Sequence, residues 1–499
     1  MKIKQRKIIA LSIVTFILIA IASLYSYADN LYNIIHAHSY QYVYFPSRDV
    51  VNAPAAEGSP AVAVPVLMYH GVRVVGELGT NTERDNFIQQ MEMLKREGYQ
   101  TISVNEYDLF RQGKFILPVK PIIITFDDAR KDSYYTVDSI IKKIGFKATN
   151  FVATVKQNEE DKFFLNWEEL NKMKESGRWE LEAHGRHSHD TVVIDENGNL
   201  GRYLTSRIYN PETGLESIEA FESRVQQDYL GGIQDMQKNL GIVPKYFAVP
   251  LNDYGDQSSN YEDGIIFNMK LSETHFRFSF IESLSENNKV FETFYNYIDS
   301  NPQTLKRLEV MNMSAADLKF ALDKFAPSKP KIIFHNGSFD LNYIYPAYGT
   351  TSIINSELVI DTIDPSTAAR AVLGDKGWEN YSFSANIVRG QAREATALIY
   401  YIDEENAVIM DWEDTNVAVT ERLNGIDDRI VSVDLKVDTH GPVEVIMSVN
   451  KGLLNVSFNG VELISDHKIK IPRGAPAFGV WDPNGGEVKL TSYSVISLE

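Results

Sequence analysis

Cysteine is absent from the 499 residues of this chain. Its absence excludes disulfides, thiolate zinc sites, cysteine nucleophiles and iron–sulfur clusters. A bound metal would therefore depend on Asp, Glu and the 10 histidines. Positive charge is also scarce, because 49 Lys and Arg against 67 Asp and Glu give a formal net charge of −18. Since nucleic-acid binding depends on cation–phosphate contacts, we expect no nucleic-acid partner.

Long uncharged hydrophobic stretches are confined to the N-terminus. Residues 8–22 carry no charge, and they follow a short segment with four basic residues: Lys2, Lys4, Arg6 and Lys7. As a helix, residues 8–25 would span roughly 27 Å, close to the thickness of a bilayer core. The basic flank predicts a cell-membrane location, single-pass, with residues 1–28 as the anchor and the catalytic part outside the cell. The alternative is a signal peptide cleaved after Ala28 and a secreted protein.

The remaining chain divides by composition. Residues 29–63 are rich in Pro, Ala and Gly near their end and are predicted to form a stalk or linker. In residues 64–340, short apolar runs alternate with amphipathic segments of helical period. This alternation predicts a distorted parallel (β/α) barrel, with its chemistry at the carboxyl ends of the strands. The runs are residues 64–69, 121–126, 147–152, 179–183, 246–249 and 331–334.

Residues 341–499 instead show short alternating strands separated by turns such as Asn459-Gly460. The pattern predicts an all-β sandwich, and its segments 376–383 and 454–461 resemble concanavalin-like or laminin-G-like jelly rolls. The domain could bind glycans or could serve only as structural support. The aromatic candidates for sugar contact are Tyr400, Tyr401, Trp412 and Trp481, while core positions are favoured for Trp378 and Trp481.

Reactive side chains follow the predicted strands. Asp127 and Asp128 end an isoleucine-rich run, and His184 and His189 follow the run at 179–183. An isolated Asp-Asp pair is commonly a turn or a helix cap, and a histidine-rich loop can be a solvated turn. Together, however, two His and one Asp after neighbouring strands offer three N/O ligands with positions open for water, as in hydrolytic metal sites. His187 is an alternative ligand.

These motifs resemble those of the NodB-homology polysaccharide deacetylases of carbohydrate esterase family four. The segments VLMYHGV (residues 66–72) and ITFDDA (124–129) are most similar to the exopolysaccharide deacetylases that act on poly-N-acetylglucosamine. The resemblance implies that Asp127 is the general base and Asp128, His184 and His189 are the metal ligands. It further implies that His335 is the general acid, although Asn336 follows it where the family usually has Asp.

The segment FAVPL (247–251) corresponds to the family's RPPY-like motif. Ala248 stands where other members have an Arg that orients the catalytic Asp, which fits the exopolysaccharide subgroup. The backbone N–H of Leu251 becomes the candidate oxyanion donor. His70, Pro250 and Tyr254 are expected to contact substrate, and the polar segment 190–216, here called the 190–216 insertion, is expected to lie beside the site.

The resemblance implies a metal-dependent hydrolase that removes acetyl groups from an N-acetylhexosamine polysaccharide and releases acetate. Zn²⁺ is the expected metal, with Co²⁺, Ni²⁺ or Mn²⁺ also compatible with a His/His/Asp site. Two alternatives stay open. One is a peptidoglycan N-acetylglucosamine deacetylase with the same chemistry, and the other is a catalytically inactive cell-surface glycan-binding protein, suggested by the missing Arg and by Asn336.

Overall fold

A computed structural model describes residues 44–498, except 74–78, 158–162, 257, 259, 284, 287–288, 291, 312, 331–333, 336–337, 340–343, 364–366 and 435–437. The predicted membrane anchor lies outside these residues. Within the described part of the chain, no helix is long and apolar enough to cross a membrane. The chain divides into two compact units, one ending at Leu322 and the other beginning at Asp323, ahead of the boundary predicted at residue 340.

The first unit contains a closed parallel barrel. Its strands, labelled in chain order, are β1 (Ala63–Tyr69), β2 (Pro121–Asp127), β3 (Ala148–Val152), β4 (Trp179–Ala183), β5 (Tyr246–Ala248), β6 (Phe278–Glu282) and β7 (Leu305–Glu309). Each strand from β2 to β6 pairs in parallel with the strand that follows it. β1 pairs in parallel with both β2 and β7, and these two pairings close the ring. All residues of β1 and β2 are buried, as expected for apolar strands covered on both faces.

Two further strands extend the barrel sheet. Tyr295–Tyr297 pairs antiparallel with the beginning of β1, and Gln100–Thr101 pairs in parallel with the beginning of β2. Short two-stranded ladders lie outside it: Val72–Arg73 with Thr82–Glu83, Thr191–Val193 with Leu200–Arg202, Tyr209–Asn210 with Gly214–Leu215, and Ser285–Glu286 with Lys289–Val290. The 190–216 insertion therefore consists mainly of two small hairpins.

Helices precede, connect and follow the barrel strands. Their bounds are Arg48–Val51, Arg84–Arg96, Val104–Arg111, Lys131–Tyr134, Asp138–Ile144, Trp167–Glu175, Ile218–Leu240, Gly264–His275 and Ala315–Phe325, with one-turn 3₁₀ segments at Thr154–Lys156 and Pro250–Asn252. Two of them begin with reciprocal capping boxes, formed by Ser103 with Glu106 and by Asn166 with Glu169. Each box satisfies backbone donors that the first helical turn leaves unpaired.

The second unit is all-β, as predicted, and consists mainly of two antiparallel sheets. The first contains, in spatial order, Ile344–Tyr348, Ala368–Leu373, Ala475–Trp481, Glu394–Asp403, Asn406–Trp412, Asn416–Leu423 and Ile426–Asp434. The second contains Thr350–Ile354, Glu357–Asp361, Glu487–Ser497, Tyr381–Val388, Pro442–Asn450, Leu453–Phe458 and Val461–Lys468. Strands Tyr381–Val388 and Pro442–Asn450 alternate buried with less buried residues, and side chains from both sheets share one apolar core.

Two sequence-based expectations require correction here. The run at 331–334 does not close the barrel, because its described residue Phe334 belongs to a separate ladder, Phe334–His335 with Ser338–Phe339. The closing strand is β7, whose sequence LKRLE lacks the apolar run expected of a barrel strand. Three of the four aromatic residues considered for sugar contact, Tyr400, Tyr401 and Trp412, are buried in the sandwich.

Candidate active site

The two adjacent carboxylates lie at the carboxyl end of β2. Asp127 is the last residue of the strand and is buried. Asp128 and Ala129 follow with φ angles of 75° and 54°, so the chain turns sharply at this point. This turn directs the two neighbouring carboxylates to different partners.

A buried guanidinium holds Asp127. Arg307 on β7 donates from Nη1 to Asp127 Oδ1 at 2.7 Å and from Nη2 to Oδ2 at 2.8 Å. Arg307 Nη1 also donates to Thr125 Oγ1 at 3.2 Å. Burial opposes ionisation of Asp127, but the charge of Arg307, followed by that of His184, outweighs burial and holds the pKa of Asp127 well below its ordinary value. Asp127 is therefore an oriented, ionised carboxylate.

Asp128, His184 and His189 converge. One ligand atom from each of these residues lies within 4.8 Å of the other two. Asp128 Oδ1 is 3.7 Å from His184 Nε2 and 3.3 Å from His189 Nε2. Gly185 lets the loop between the histidines curl, since its φ is 80° and an added Cβ would lie 2.8 Å from Ser188 Cβ.

The contacts behind the histidines suit metal binding. His184 Nδ1 lies 2.8 Å from the carbonyl oxygen of Ala248, so this nitrogen carries the proton and Nε2 presents its lone pair. His189 Nδ1 lies 3.1 Å from Ser188 Oγ. Burial, reinforced by the charge of His184, lowers the pKa of His189 to about 4, which favours the neutral form that a metal requires. The donor set of two imidazoles and one carboxylate fits a divalent metal with open positions.

His187, the alternative ligand, is directed elsewhere. Its Nδ1 is 2.8 Å from Asp190 Oδ2, and its backbone N–H donates to Asp228 Oδ1 at 2.7 Å. Asp228 also accepts the backbone N–H of Arg186 at 3.0 Å. These contacts anchor the loop that carries the two convergent histidines.

His70 and Glu309 form a pair at the same end of the barrel. His70 directly follows β1, and Glu309 ends the adjacent strand β7. His70 Nδ1 lies 3.6 Å from Glu309 Oε1, within ion-pair range but too far for a hydrogen bond. Burial, together with the charge of Glu282, raises the pKa of Glu309 to about 6. His70 is close enough for its charge to influence both Asp127 and His189.

The turn after β5 carries Leu251. Leu251 has φ 55° and ψ 20°, a left-handed conformation that is costly for a branched side chain, and its side chain is exposed. The two hydrogen bonds of the turn run from Asn252 N to Val249 O and from Asp253 N to Pro250 O, so neither uses the N–H of Leu251.

The remaining predicted site residues differ in their surroundings. Pro250 is buried within this turn. Tyr254 is buried in the barrel unit, and its hydroxyl donates to Gln303 O at 3.0 Å, so it is not brought to the site. His335 lies in the short ladder of the second unit and its side chain lies outside the described residues, so its role stays a prediction.

The structure adds Arg307 and Glu309, which the sequence reading missed. Both belong to β7, where the order LKRLE places Arg307 and Glu309 two residues apart, on the same face of the strand. A charged residue inside a buried parallel strand and another at its carboxyl end would have indicated site residues, had the strand been recognised.

Residues 116–263 match the family model described as polysaccharide deacetylase. The chain is 22% identical over 271 residues to a poly-beta-1,6-N-acetyl-D-glucosamine N-deacetylase of Escherichia coli, covering 52% of this chain and 37% of that protein. It is 28% identical over 161 residues to the protein of the same name from Staphylococcus epidermidis, covering 32% of this chain and 53% of that protein.

Among solved structures, a de-N-acetylase from Aggregatibacter actinomycetemcomitans is 19% identical with a TM-score of 0.42, covering 52% of this chain and 98% of that one. For the two curated relatives above, the chain spans 37% and 53% of their length.

Proposed function

Because this chain contains a polysaccharide deacetylase domain, we propose that the protein is a metal-dependent hydrolase that removes acetyl groups from an N-acetylhexosamine-containing extracellular polysaccharide. The observation that carries the proposal is the convergence of Asp128, His184 and His189 beside an ionised Asp127. A divalent metal held by these three residues would act as a Lewis acid toward the acetamide carbonyl and would lower the pKa of a bound water.

Asp127 is the proposed general base. Its carboxylate is ionised and fixed by Arg307, so it can accept a proton from the attacking water. The catalytic Asp of the family is oriented by an Arg that this chain lacks at position 248. Arg307 supplies an equivalent guanidinium from β7, which weakens the argument for an inactive glycan-binding protein.

The N–H of Leu251 is the proposed oxyanion donor. Leu251 lies three residues after Ala248, whose carbonyl accepts from His184, so the turn borders the same end of the barrel. A donor held there before the reaction would stabilise the negative charge that develops on the acetamide oxygen.

His70 is the proposed proton donor to the leaving amine, with Glu309 orienting it. The His70–Glu309 pair borders the site from the side of β1 and β7. His70 would donate a proton to the amine nitrogen as the C–N bond breaks. His335 is retained as an alternative donor from the sequence resemblance.

The substrate, the location and the role of the β-sandwich also belong to the proposal. The names of the matched relatives favour a poly-β-1,6-N-acetylglucosamine substrate, and peptidoglycan is the second candidate. The basic N-terminus and the uncharged residues 8–22 support a membrane anchor with the catalytic unit outside the cell. For the β-sandwich, a carbohydrate-binding role and the jelly-roll class are both proposals.

Acetate release tests this function directly. The purified protein is incubated with zinc and with poly-β-1,6-N-acetylglucosamine oligomers, chitin oligomers or muropeptides, and free acetate and new amines are measured. We expect release from the β-1,6-linked oligomers above that from the other two. If acetate were released at the same rate with zinc, without added metal and after chelation, the proposed metal chemistry would be contradicted.

A further inference from the structure

The 190–216 insertion is tied to the turn that carries Leu251. Arg202 ends the second strand of the first hairpin of this insertion. Its Nη1 donates to the carbonyl oxygen of Leu251 at 3.1 Å and pairs with Asp253 Oδ2 at 2.8 Å. One guanidinium therefore contacts both the left-handed residue and the residue that ends the turn.

Asp253 is a firm anchor for this guanidinium. Its carboxylate is buried, accepts the backbone N–H of Gly255 on Oδ1 at 2.7 Å and accepts Thr205 Oγ1 on Oδ2 at 3.1 Å. Thr205 belongs to the insertion, as Arg202 does. Since a buried carboxylate needs such partners, the two segments are joined through a satisfied polar cluster.

The barrel holds the opposite side of the turn. Asn252 Oδ1 accepts the backbone N–H of Glu282, the last residue of β6, at 2.8 Å. Leu251 lies between this contact and Arg202, and it has the positive φ that a branched residue adopts only when its surroundings enforce it. The direction of the Leu251 peptide groups is therefore set by Arg202 on one side and by Asn252 on the other.

We propose that Arg202 is a positioning residue of the hydrolytic reaction, which acts by holding the Leu251 backbone so that its N–H points at the developing oxyanion. This inference rests on the proposed deacetylase function. It gives the 190–216 insertion a specific role, because the insertion supplies the guanidinium that completes the turn. If the Leu251 N–H is displaced, the transition state loses a stabilising hydrogen bond, whereas binding of the substrate in the ground state changes little.

The test compares Arg202→Ala, Arg202→Lys and a matched control in the full chain. The control is Arg178→Ala, since Arg178 also pairs with a carboxylate (Asp138 Oδ2, 2.8 Å) and a carbonyl (Ser176 O, 3.3 Å), but it precedes β4 at the opposite end of the barrel. The measured quantities are kcat and KM for acetate release from N-acetylglucosamine oligomers, bound zinc and the melting temperature.

For Arg202→Ala we expect kcat to fall about 10- to 100-fold, with KM within about twofold and bound zinc unchanged. Arg202→Lys should recover part of the loss, because an ammonium can still donate to the Leu251 carbonyl. Arg178→Ala should lower the melting temperature with kcat preserved.

Three results would overturn the inference: an unchanged kcat in Arg202→Ala, a fall in kcat matched by loss of zinc, or an equal fall in Arg178→Ala. A wild-type protein that releases no acetate from any of the acetylated glycans would refute the proposed function itself, and this inference with it.

Discussion

Arg307 and Asp127 form a bidentate ion pair inside the barrel although they are 180 residues apart in the chain, with Nη1–Oδ1 and Nη2–Oδ2 distances of 2.7 and 2.8 Å. The two residues lie on β7 and β2, the two strands that flank β1 where the ring closes. The pair holds the carboxylate oxygens in one plane and keeps the carboxyl group ionised despite its burial. Closure of the barrel thus brings together Asp127, the proposed general base, and the guanidinium that fixes its carboxylate.

Replacing this guanidinium should raise the pKa of Asp127. In Arg307→Ala, burial of Asp127 is no longer offset by its main positive neighbour, so we expect the acidic limb of the pH–rate profile to move to higher pH. We also expect kcat to fall at least about 100-fold, since the carboxylate loses its orientation. The measurement is acetate release as a function of pH, at saturating zinc.

Arg307→Lys is the control for charge without bidentate geometry. It should keep the acidic limb near its wild-type position while kcat still falls. An acidic limb that is the same in all three proteins would argue against Arg307 as the group that keeps Asp127 ionised.

The convergence of the three proposed metal ligands could be predicted because the carboxyl ends of parallel strands meet at one end of the barrel. Asp128, His184 and His189 follow two apolar runs that were recognisable, and the structure brings them together. Arg307 and Glu309 could not be predicted in the same way, because the three charged residues of β7 conceal a strand whose burial depends on its neighbours in the ring. The ladder at Phe334–His335 shows the converse, since an apolar run indicates burial but does not identify the sheet.

Removal of one proposed metal ligand should abolish both the proposed zinc binding and activity. We expect Asp128→Asn to lose bound zinc and at least about 1000-fold of kcat, because a neutral amide is a poor ligand for a divalent ion between two imidazoles. Zinc content is measured by elemental analysis alongside acetate release. Dialysis of the wild-type protein against chelator should likewise remove bound zinc and activity, and added Zn²⁺ should restore both.

His187→Ala is the matched control among the loop histidines, because His187 pairs with Asp190 instead of joining the cluster. It should retain zinc. Loss of zinc in His187→Ala but not in His189→Ala would reverse the assignment of the ligands.

Glu309 should give folding stability a distinctive pH dependence. Its pKa is about 6 in the folded protein against a reference value of 4.5, so the folded state binds more protons between these values. The free energy of unfolding should therefore decrease by about 2 kcal/mol as pH rises from below 4.5 to above 6, and Glu309→Gln should lack this decrease. The measurement is the difference in melting temperature between the two proteins across this range.

The same variant tests the proposed role of Glu309 in catalysis. Without the carboxylate, His70 loses the charged partner that lies 3.6 Å from its Nδ1 and is proposed to orient it, so we expect kcat to fall about 10-fold, and more in His70→Ala. Full activity in His70→Ala would contradict its proposed role and would favour His335 as the proton donor.

Two tryptophans of the sandwich should separate core packing from sugar binding. Trp412 is fully buried, with its ring 5.6 Å from that of Phe458, and Trp412→Ala should lower the free energy of unfolding by about 3–5 kcal/mol.

Trp481 is only partly buried, and the guanidinium of Arg393 lies 4.8 Å from its ring centre, so Trp481→Ala should destabilise the protein far less. If the sandwich binds glycans through an aromatic face, Trp481→Ala should weaken the binding of acetylated oligomers, measured by calorimetric titration. Undiminished binding in this variant would remove Trp481 from any sugar site.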